Sequence, residues 1–192
     1  NASTTPGETP VIKLNVYPYN CVTCSQAQTL ASNMEHGDRT TSLMFGVQWD
    51  LVMKYLETKG TAQADLKTNS TSWGNYQNNA WNITNVNLKY AEGNASTYEV
   101  KPWTTATEKS KTASEDILLS TGASESFSKM GIYDLAGNVY EWTLEYTSTT
   151  YVPCAGRGGV YCDVGRNCPA SYRYDYSTTD CNSYLGARVA LY

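Results

Sequence analysis

The residues of this chain best suited to chemistry are six cysteines, at positions 21, 24, 154, 162, 168 and 181. Cys21-Val-Thr-Cys24 has the spacing of a redox pair or of half a zinc site. Alternatively, the six could form a disulfide framework, for which fifteen connectivities exist. His36 is the single histidine and no second CxxC follows, which argues against zinc and against a Ser-His-Asp or Cys-His catalytic arrangement.

A second candidate is the pair of carboxylates within Met130–Trp142, which reads MGIYDLAGNVYEW. Apolar residues run into Asp134, and apolar residues resume after Gly137-Asn138, where the backbone can take positive φ at low cost. The stretch therefore predicts a strand, a tight turn and a strand, as in an ordinary hairpin. Glu141 lies between two aromatic residues, so its charge must face solvent, pair with a cation or bind a metal.

Composition limits the classes of function. The net charge is −4, the pI is about 5.0, and the basic residues are few and scattered, which argues against nucleic-acid binding. No run of eighteen apolar residues is present, so we expect no membrane span. Tyrosines number 16 against 2 phenylalanines, which favours surface or interface use as well as core packing. Residues 1–10 are small, polar and contain Pro and Gly, which predicts a flexible lead-in. The length predicts one domain, residues 11–192.

The elements that must position these residues are partly readable. Val11–Tyr17 alternates apolar and polar residues and predicts an edge strand. Ser25–Gln28 predicts a capping box for a helix ending near Met34, with His36 exposed just beyond it. Phe45–Glu57 predicts the clearest helix, because apolar residues recur at helical spacing and a glycine follows. These residues are Trp49, Val52, Met53, Leu56 and Gly60.

Residues 61–128 are polar and carry few signals of helix or strand. We expect long irregular loops there, attached to the core by Trp73, Trp81 and Trp103.

Three motifs together resemble the formylglycine-generating-enzyme (sulfatase-modifying factor) family. They are Gly131–Trp142, Arg157-Gly158-Gly159 and Gly186-Ala187-Arg188, supported by the helix Phe45–Glu57 and the turn Ser72–Asn75. The resemblance spans roughly residues 11–192. It implies an α+β, C-type-lectin-like fold of the formylglycine-generating-enzyme subtype. In that fold, two helices pack on short antiparallel sheets with long irregular loops.

The resemblance also implies a structural calcium site, although no cofactor is required for the function that we favour. Transferred by position, its ligands are Asp134, the carbonyl oxygens of Gly137 and Val139, and Glu141. Oxygen ligands of this kind suit Ca²⁺. In the alternative, Asp134 caps the turn and Glu141 pairs with Arg157 or Arg188.

The enzymes of that family oxidise a substrate cysteine with oxygen, using two cysteines that bind copper. Their motif, C-Y-R-Y-R-C, corresponds to Ser171–Tyr176 here, so Tyr176 replaces the second cysteine and Cys168 lies just upstream of the first. Tyrosine cannot replace a thiolate in holding Cu(I). The iron-dependent branch needs a histidine cluster, which a chain with only His36 lacks. We therefore expect no enzyme activity.

The last 47 residues have an unusual composition. From Tyr146 to Tyr192 there is no Lys, Glu, Gln, Met or Trp, although these five types supply 33 of residues 1–145. A Tyr-rich β surface disfavours Lys and Glu, but this does not explain the joint loss of Gln, Met and Trp. Mutation of Asn codons at their adenines alone does explain it, because such codons never become any of these five types.

This pattern resembles the variable proteins of diversity-generating retroelements, which are C-type-lectin-like and carry a C-terminal variable region, here residues 157–192. The positions that we expect to vary are Val160, Cys162, Asp163, Val164, Asn167, Cys168, Tyr172, Tyr174, Asp175, Tyr176, Asp180, Asn182 and Tyr184. The positions that we expect to be fixed framework are Gly165, Pro169, Ala170, Arg173, Gly186 and Arg188.

The predicted function is therefore display of a hypervariable binding surface on a stable scaffold. Tyr, Ser, Asn and Asp are the residues that antibody loops favour for contact. The expected ligand is a variable protein or glycan on a cell surface, and the expected location is extracellular, on a phage tail fibre or a bacterial surface. The alternatives are a copper-dependent oxidase of the formylglycine-generating type and a lectin-like binder of fixed specificity.

Overall fold

The computed structural model describes residues 9–34, 37–97 and 99–192. The predicted lead-in, except Thr9 and Pro10, and the prediction for His36 lie outside these ranges. The described α-helices are α1 (Cys24–Ser32), α2 (Gly46–Thr58) and α3 (Gln63–Lys67). The strands are β1 (Thr41–Leu43), β2 (Trp81–Glu92), β3 (Thr104–Lys111), β4 (Ile117–Leu119), β5 (Ser128–Lys129), β6 (Ile132–Tyr133), β7 (Tyr140–Tyr146), β8 (Cys154–Arg157), β9 (Arg173–Tyr176), β10 (Leu185–Ala187) and β11 (Val189–Leu191).

Four strands form the central sheet, in the order β10–β7–β8–β9. Glu141 on β7 is level with Gly186 on the parallel strand β10 and with Arg157 on the antiparallel strand β8. Arg157 is in turn level with Arg173 on β9. The three motifs that are far apart in the sequence therefore lie on adjacent strands. Smaller sheets pair β1 with β11, β5 with β6, and β2 with both β3 and β4.

The turn before β7 joins several parts of the fold. Asp134, Gly137 and Asn138 all have positive φ, as the sequence predicted for the last two. The Asn138 amide oxygen accepts bonds from Leu119 N and Asn75 Nδ2, both at 3.0 Å. The hairpin interpretation is wrong, because β6 pairs with β5 while β7 pairs with β8 and β10. The turn is instead held by loops from elsewhere in the chain.

The two predicted helices are present. Helix α2 ends just before Gly60, which has positive φ, and it buries Trp49, Met53 and Leu56. Helix α1 begins two residues earlier than predicted, because its capping box is formed by Thr23 and Gln26 rather than by Ser25 and Gln28. It ends at Ser32, slightly short of the predicted end.

The prediction of irregular loops over residues 61–128 is wrong. This region contains α3 and the strands β2, β3 and β4. Strand β2 buries only Ile83, Leu88 and Ala91 among twelve residues, and a register shift against β3 interrupts its alternation. Its polar surface and broken periodicity hid the strand from sequence analysis. The predicted anchoring is present: Trp73 is buried, and Trp81 and Trp103 pack against core clusters.

The predicted edge strand Val11–Tyr17 is also wrong. The chain turns there, with positive φ at Asn15, and bonds to Thr121 through Asn15 N and Val16 O at 2.7 and 2.9 Å. Val11 and Ile12 are mostly exposed, so the alternation in this segment does not reflect a buried strand face.

The α+β class is confirmed by these short helices and small sheets. A third helix and the parallel pairing of β10 with β7 were not predicted. The largest core cluster lies around the central sheet and includes Trp142, Tyr161, Tyr176 and Leu185. No helix in the described ranges is long and apolar enough to cross a membrane.

We predict that Gly137→Ala destabilises the protein far more than Gly131→Ala. Both glycines have positive φ, which costs an alanine about 1–2 kcal/mol. A Cβ at Gly131 meets nothing within 4 Å, whereas one at Gly137 overlaps the Asn75 carbonyl. Overpacking adds about 1–3 kcal/mol at Gly137 only. Urea denaturation measures both variants, and equal losses would contradict the role assigned to this turn.

Candidate ligand-binding surface

The predicted variable positions lie in three neighbouring segments. They lie on β9, in the loop between β8 and β9, and in the loop between β9 and β10. Together these segments form a pocket of about 180 Å³. Six predicted variable positions line it: Val160, Cys162, Asp163, Tyr174, Tyr176 and Tyr184. The remaining lining residues are Tyr140 and Ala95.

Aromatic rings form the floor and walls of this surface. The Tyr140 ring centroid lies 6.4, 6.1 and 5.9 Å from those of Tyr172, Tyr174 and Tyr176. Tyr176 in turn lies 5.2 Å from Trp142, edge to face, and 6.4 Å from Tyr184. Tyr140 and Trp142 belong to the motif strand β7, so framework rings support the predicted variable rings.

Gly156 on β8 leaves the space in which these rings pack. A Cβ there would lie 2.8 Å from Cε2 of Tyr176 and 3.4 Å from Cβ of Tyr140. Any larger residue would displace the Tyr176 ring, so glycine at this position is a condition for the aromatic floor.

Burial divides the predicted variable positions into two groups. Tyr174 and Asn167 are exposed, and eight others are half-buried. Val160, Cys168 and Tyr176 are only 4, 4 and 6% exposed and belong to the main core cluster. These three predicted variable positions therefore lie in the core, unlike the other ten. Their neighbours reach the surface, but they fill the interior beneath it.

A short hydrogen-bonded chain crosses the base of the pocket. The Tyr140 hydroxyl donates to Cys168 Sγ at 2.9 Å, and Cys168 Sγ donates to Asp163 Oδ2 at 3.1 Å. Burial raises the pKa of both Cys168 and Cys162 to about 12. Both groups are therefore neutral thiols near pH 7, whereas nucleophilic attack and copper binding use thiolates.

Two of the remaining cysteines, Cys24 and Cys154, influence each other. The Cys24 thiol donates to the Thr143 carbonyl at 3.8 Å, and its pKa is raised to about 12 mainly by burial, with a smaller contribution from Cys154. The Cys21 amide donates to the Asn182 carbonyl at 3.1 Å. All six cysteines are free thiols, and the described residues contain no cluster of three or more His, Cys, Asp or Glu side chains.

Buried Arg157 holds the strand from which the C-terminal loops begin. It pairs with Asp50 on α2, lies 3.7 Å from Glu145 and packs over the Trp49 ring. Arg173 on β9 joins the same cluster through Glu145 at 2.6 Å. These contacts attach β8 and β9 to α2, and they explain why Arg173 reads as framework among predicted variable neighbours.

Arg188 fixes the strand to which the loops return. Its Nε and Nη2 donate to the two oxygens of buried Glu141 at 2.6 and 2.7 Å, and Nη2 also donates to the Tyr133 carbonyl. Of the two partners predicted for Glu141, the structure therefore pairs it with Arg188. Asp134 accepts from Gly122 N at 2.7 Å rather than from its own turn.

The four predicted calcium ligands are only partly brought together. Asp134, Val139 and Glu141 border a larger cavity of about 1040 Å³, whereas Gly137 is not among its lining residues. The charged residues of its lining are Asp134, Glu141, Lys13 and Arg188, so two acids face two cations. Arg188 already occupies both oxygens of Glu141. Calcium binding stays a prediction, and its role would be to neutralise Asp134.

Sequence reasoning missed two contributors to the surface. Tyr140 was assigned only to the motif, and Ala95 lies on a loop far away in the sequence. The alternation of Tyr140 and Trp142 around Glu141 was the available signal for the first. No local signal placed residue 95 beside the C-terminal loops.

The fold and site define a C-type-lectin-like α+β domain whose C-terminal loops form a tyrosine-rich surface. The sequence model of the sulfatase-modifying factor enzyme 1-like domain matches residues 2–192, and the chain belongs to this family. A search of curated proteins found no significant match. Among solved structures, the chain is similar to Treponema denticola variable protein 1, at 17% identity and a TM-score of 0.43. The match covers 81% of this chain and 49% of that chain, so this chain spans about half its length.

We predict that Asp134→Asn changes how stability depends on pH. The pKa of Asp134 is raised to about 6, mainly by burial and also by Glu141, while the Gly122 N–H and Arg188 act in the opposite direction. A raised carboxyl pKa gives stability that is complete below about pH 4 and lost as pH rises through about 6. Relative to wild type, the variant should therefore gain stability between pH 4 and pH 7. Thermal unfolding in chelator measures this.

Calcium added at pH 7 should raise the unfolding temperature of wild type and leave that of Asp134→Asn unchanged. Asp38→Asn, at an exposed aspartate, is the matched control and should behave as wild type. A calcium response that is the same in wild type and Asp134→Asn would exclude this ligand set.

Proposed function

We propose that this chain is a hypervariable ligand-binding protein whose C-terminal region is diversified by a retroelement through adenine-directed mutagenesis. The observation that carries the proposal joins composition to geometry. The segment that lacks Lys, Glu, Gln, Met and Trp supplies six of the eight residues that line one pocket. If the biased composition had no function, we would not expect the residues of this segment to meet in one pocket.

The framework residues support this proposal, because they hold the two ends of the C-terminal region in place and leave most of the predicted variable positions at the surface. Arg157 and Arg188 anchor the two ends of the variable region through ion pairs with framework acids. Between these ends, ten of the thirteen predicted variable positions are exposed or half-buried. Substitutions at those ten change the binding surface and leave the buried residues of the core cluster in place, although three of the ten, Cys162, Tyr172 and Tyr184, pack against that cluster.

The alternative of a copper-dependent oxidase has less support. Tyr176 takes the place of a cysteine and packs in the core, and the Cys162 and Cys168 thiols are neutral near pH 7. We therefore propose a binding protein rather than an enzyme. The pocket is equally consistent with a lectin-like binder of fixed specificity. The two proposals differ only in whether the residues that line the pocket vary between related proteins.

The ligand in this proposal is a protein or glycan on a cell surface. The corresponding location is extracellular, on a phage tail fibre or a bacterial surface. The scarcity of basic residues supports the expectation that nucleic acid is not the partner.

Sequencing of the gene and its neighbourhood from several sibling isolates tests the proposal. We expect variation confined to the predicted positions and matched to adenines in a nearby near-copy of the 3′ end, beside a reverse-transcriptase gene. Framework codons within the same region, such as those for Arg173 and Arg188, are the internal control and should stay constant. A constant C-terminal sequence with no such copy would rule out diversification and leave a binder of fixed specificity as the proposed function.

A further inference from the structure

The pocket combines tyrosine side chains with negative charge. Four of its eight lining residues are tyrosines, and the only charged one is Asp163. No Lys, Arg or His is present among the described residues that line it. The face of a tyrosine ring carries a negative quadrupole potential, so rings and carboxylate attract the same kind of ligand group.

The charges around the pocket reinforce this preference. Asp163 raises the pKa of Tyr140 and Tyr172, and Asp180 raises that of Tyr176, in each case in addition to the larger effect of burial. Arg173, the cation on the same strand, is paired with Glu145 and Asp50. The tyrosine surface therefore lies in a field set by acids.

The size of the pocket suits one side chain. Its volume is about 180 Å³. Sites that enclose whole drug-sized molecules are larger, at about 300–1,000 Å³. A single extended group entering from a macromolecular surface would fill this pocket.

We propose that the tyrosine pocket binds a cationic side chain, a lysine ammonium or arginine guanidinium presented by a protein ligand. The inference rests on the proposed binding function and narrows its ligand from protein or glycan to a basic site on a protein. The rings contact the cation and its aliphatic stem, while Asp163 neutralises the charge at the pocket wall. Rings arranged around a cation are a known solution for recognising ammonium groups.

Titration by NMR tests this with defined probes, following the tyrosine ring resonances. N-acetyl-lysine methylamide and N-acetyl-arginine methylamide should bind saturably, with dissociation constants in the millimolar range. N-acetyl-norleucine methylamide, which matches the stem of lysine without the charge, should bind at least tenfold more weakly. A neutral methyl glycoside should bind no better than the norleucine probe.

Asp163→Asn should weaken the cationic probes at least fivefold, because it removes the charge but keeps the side-chain shape. Asp38→Asn, an equal charge change on a distant exposed residue, should leave their affinity unchanged. If Asp163→Asn does not fold, Tyr184→Leu provides the second variant and should weaken both cationic probes. Stronger binding of norleucine or glycoside, binding unaffected by these variants, or no binding would each overturn the proposal.

These outcomes are independent of the gene-level test. If sibling genes vary and the cationic probes do not bind, the proposal of a diversified binding surface is retained and the proposal of a cationic ligand is rejected. If cations bind and sibling genes are constant, the pocket is a fixed site.

Discussion

A buried carboxylate on the central strand sets the main constraint on this fold. Glu141 is 5% exposed on β7, and its charge is balanced by a two-point ion pair with Arg188. Removing one partner of a buried pair costs about 3–5 kcal/mol, because the remaining charge is left buried without compensation. Because Arg188 is partly exposed, the lower part of this range applies. After its C-terminal loops, the chain must therefore return to a position beside β7.

A second buried charged residue, Arg157, holds the chain in place at the start of the C-terminal loops. Arg157 is level with Glu141 across the sheet, but it pairs with acids from α2 and the end of β7. An ion pair therefore holds each end of the segment from Arg157 to Arg188. Gly156, just before this segment, leaves space on the sheet for the rings of Tyr140 and Tyr176. Variation in this segment can then change the surface while the ends stay in place. Val160, Cys168 and Tyr176 limit that freedom, since their side chains fill the core.

The sequence predicted best where the physics is local or the motif is specific. The stripe on α2, its glycine stop and the positive-φ turn at Gly137-Asn138 all follow from short-range rules. The choice between Arg157 and Arg188 as the partner of Glu141 could not be predicted, because it depends on the parallel placement of β10. Strands β2 and β3 were not predicted from the sequence, because their outer faces are polar. The pocket itself depends on Tyr140 and Ala95 meeting loops distant in sequence, which no local pattern encodes.

The most direct test of the separation between framework and display is a folding selection on a randomised library. All thirteen predicted variable positions would be mixed over the residues that adenine mutation of Asn codons can produce, and folded members selected by protease resistance and sequenced. The account predicts that the ten exposed or half-buried positions accept most of that alphabet. Val160, Cys168 and Tyr176 should stay restricted, and randomised Gly156 and Arg157, as framework controls, should keep their residues. Exposed positions that tolerate as little change as Gly156 and Arg157 would contradict it.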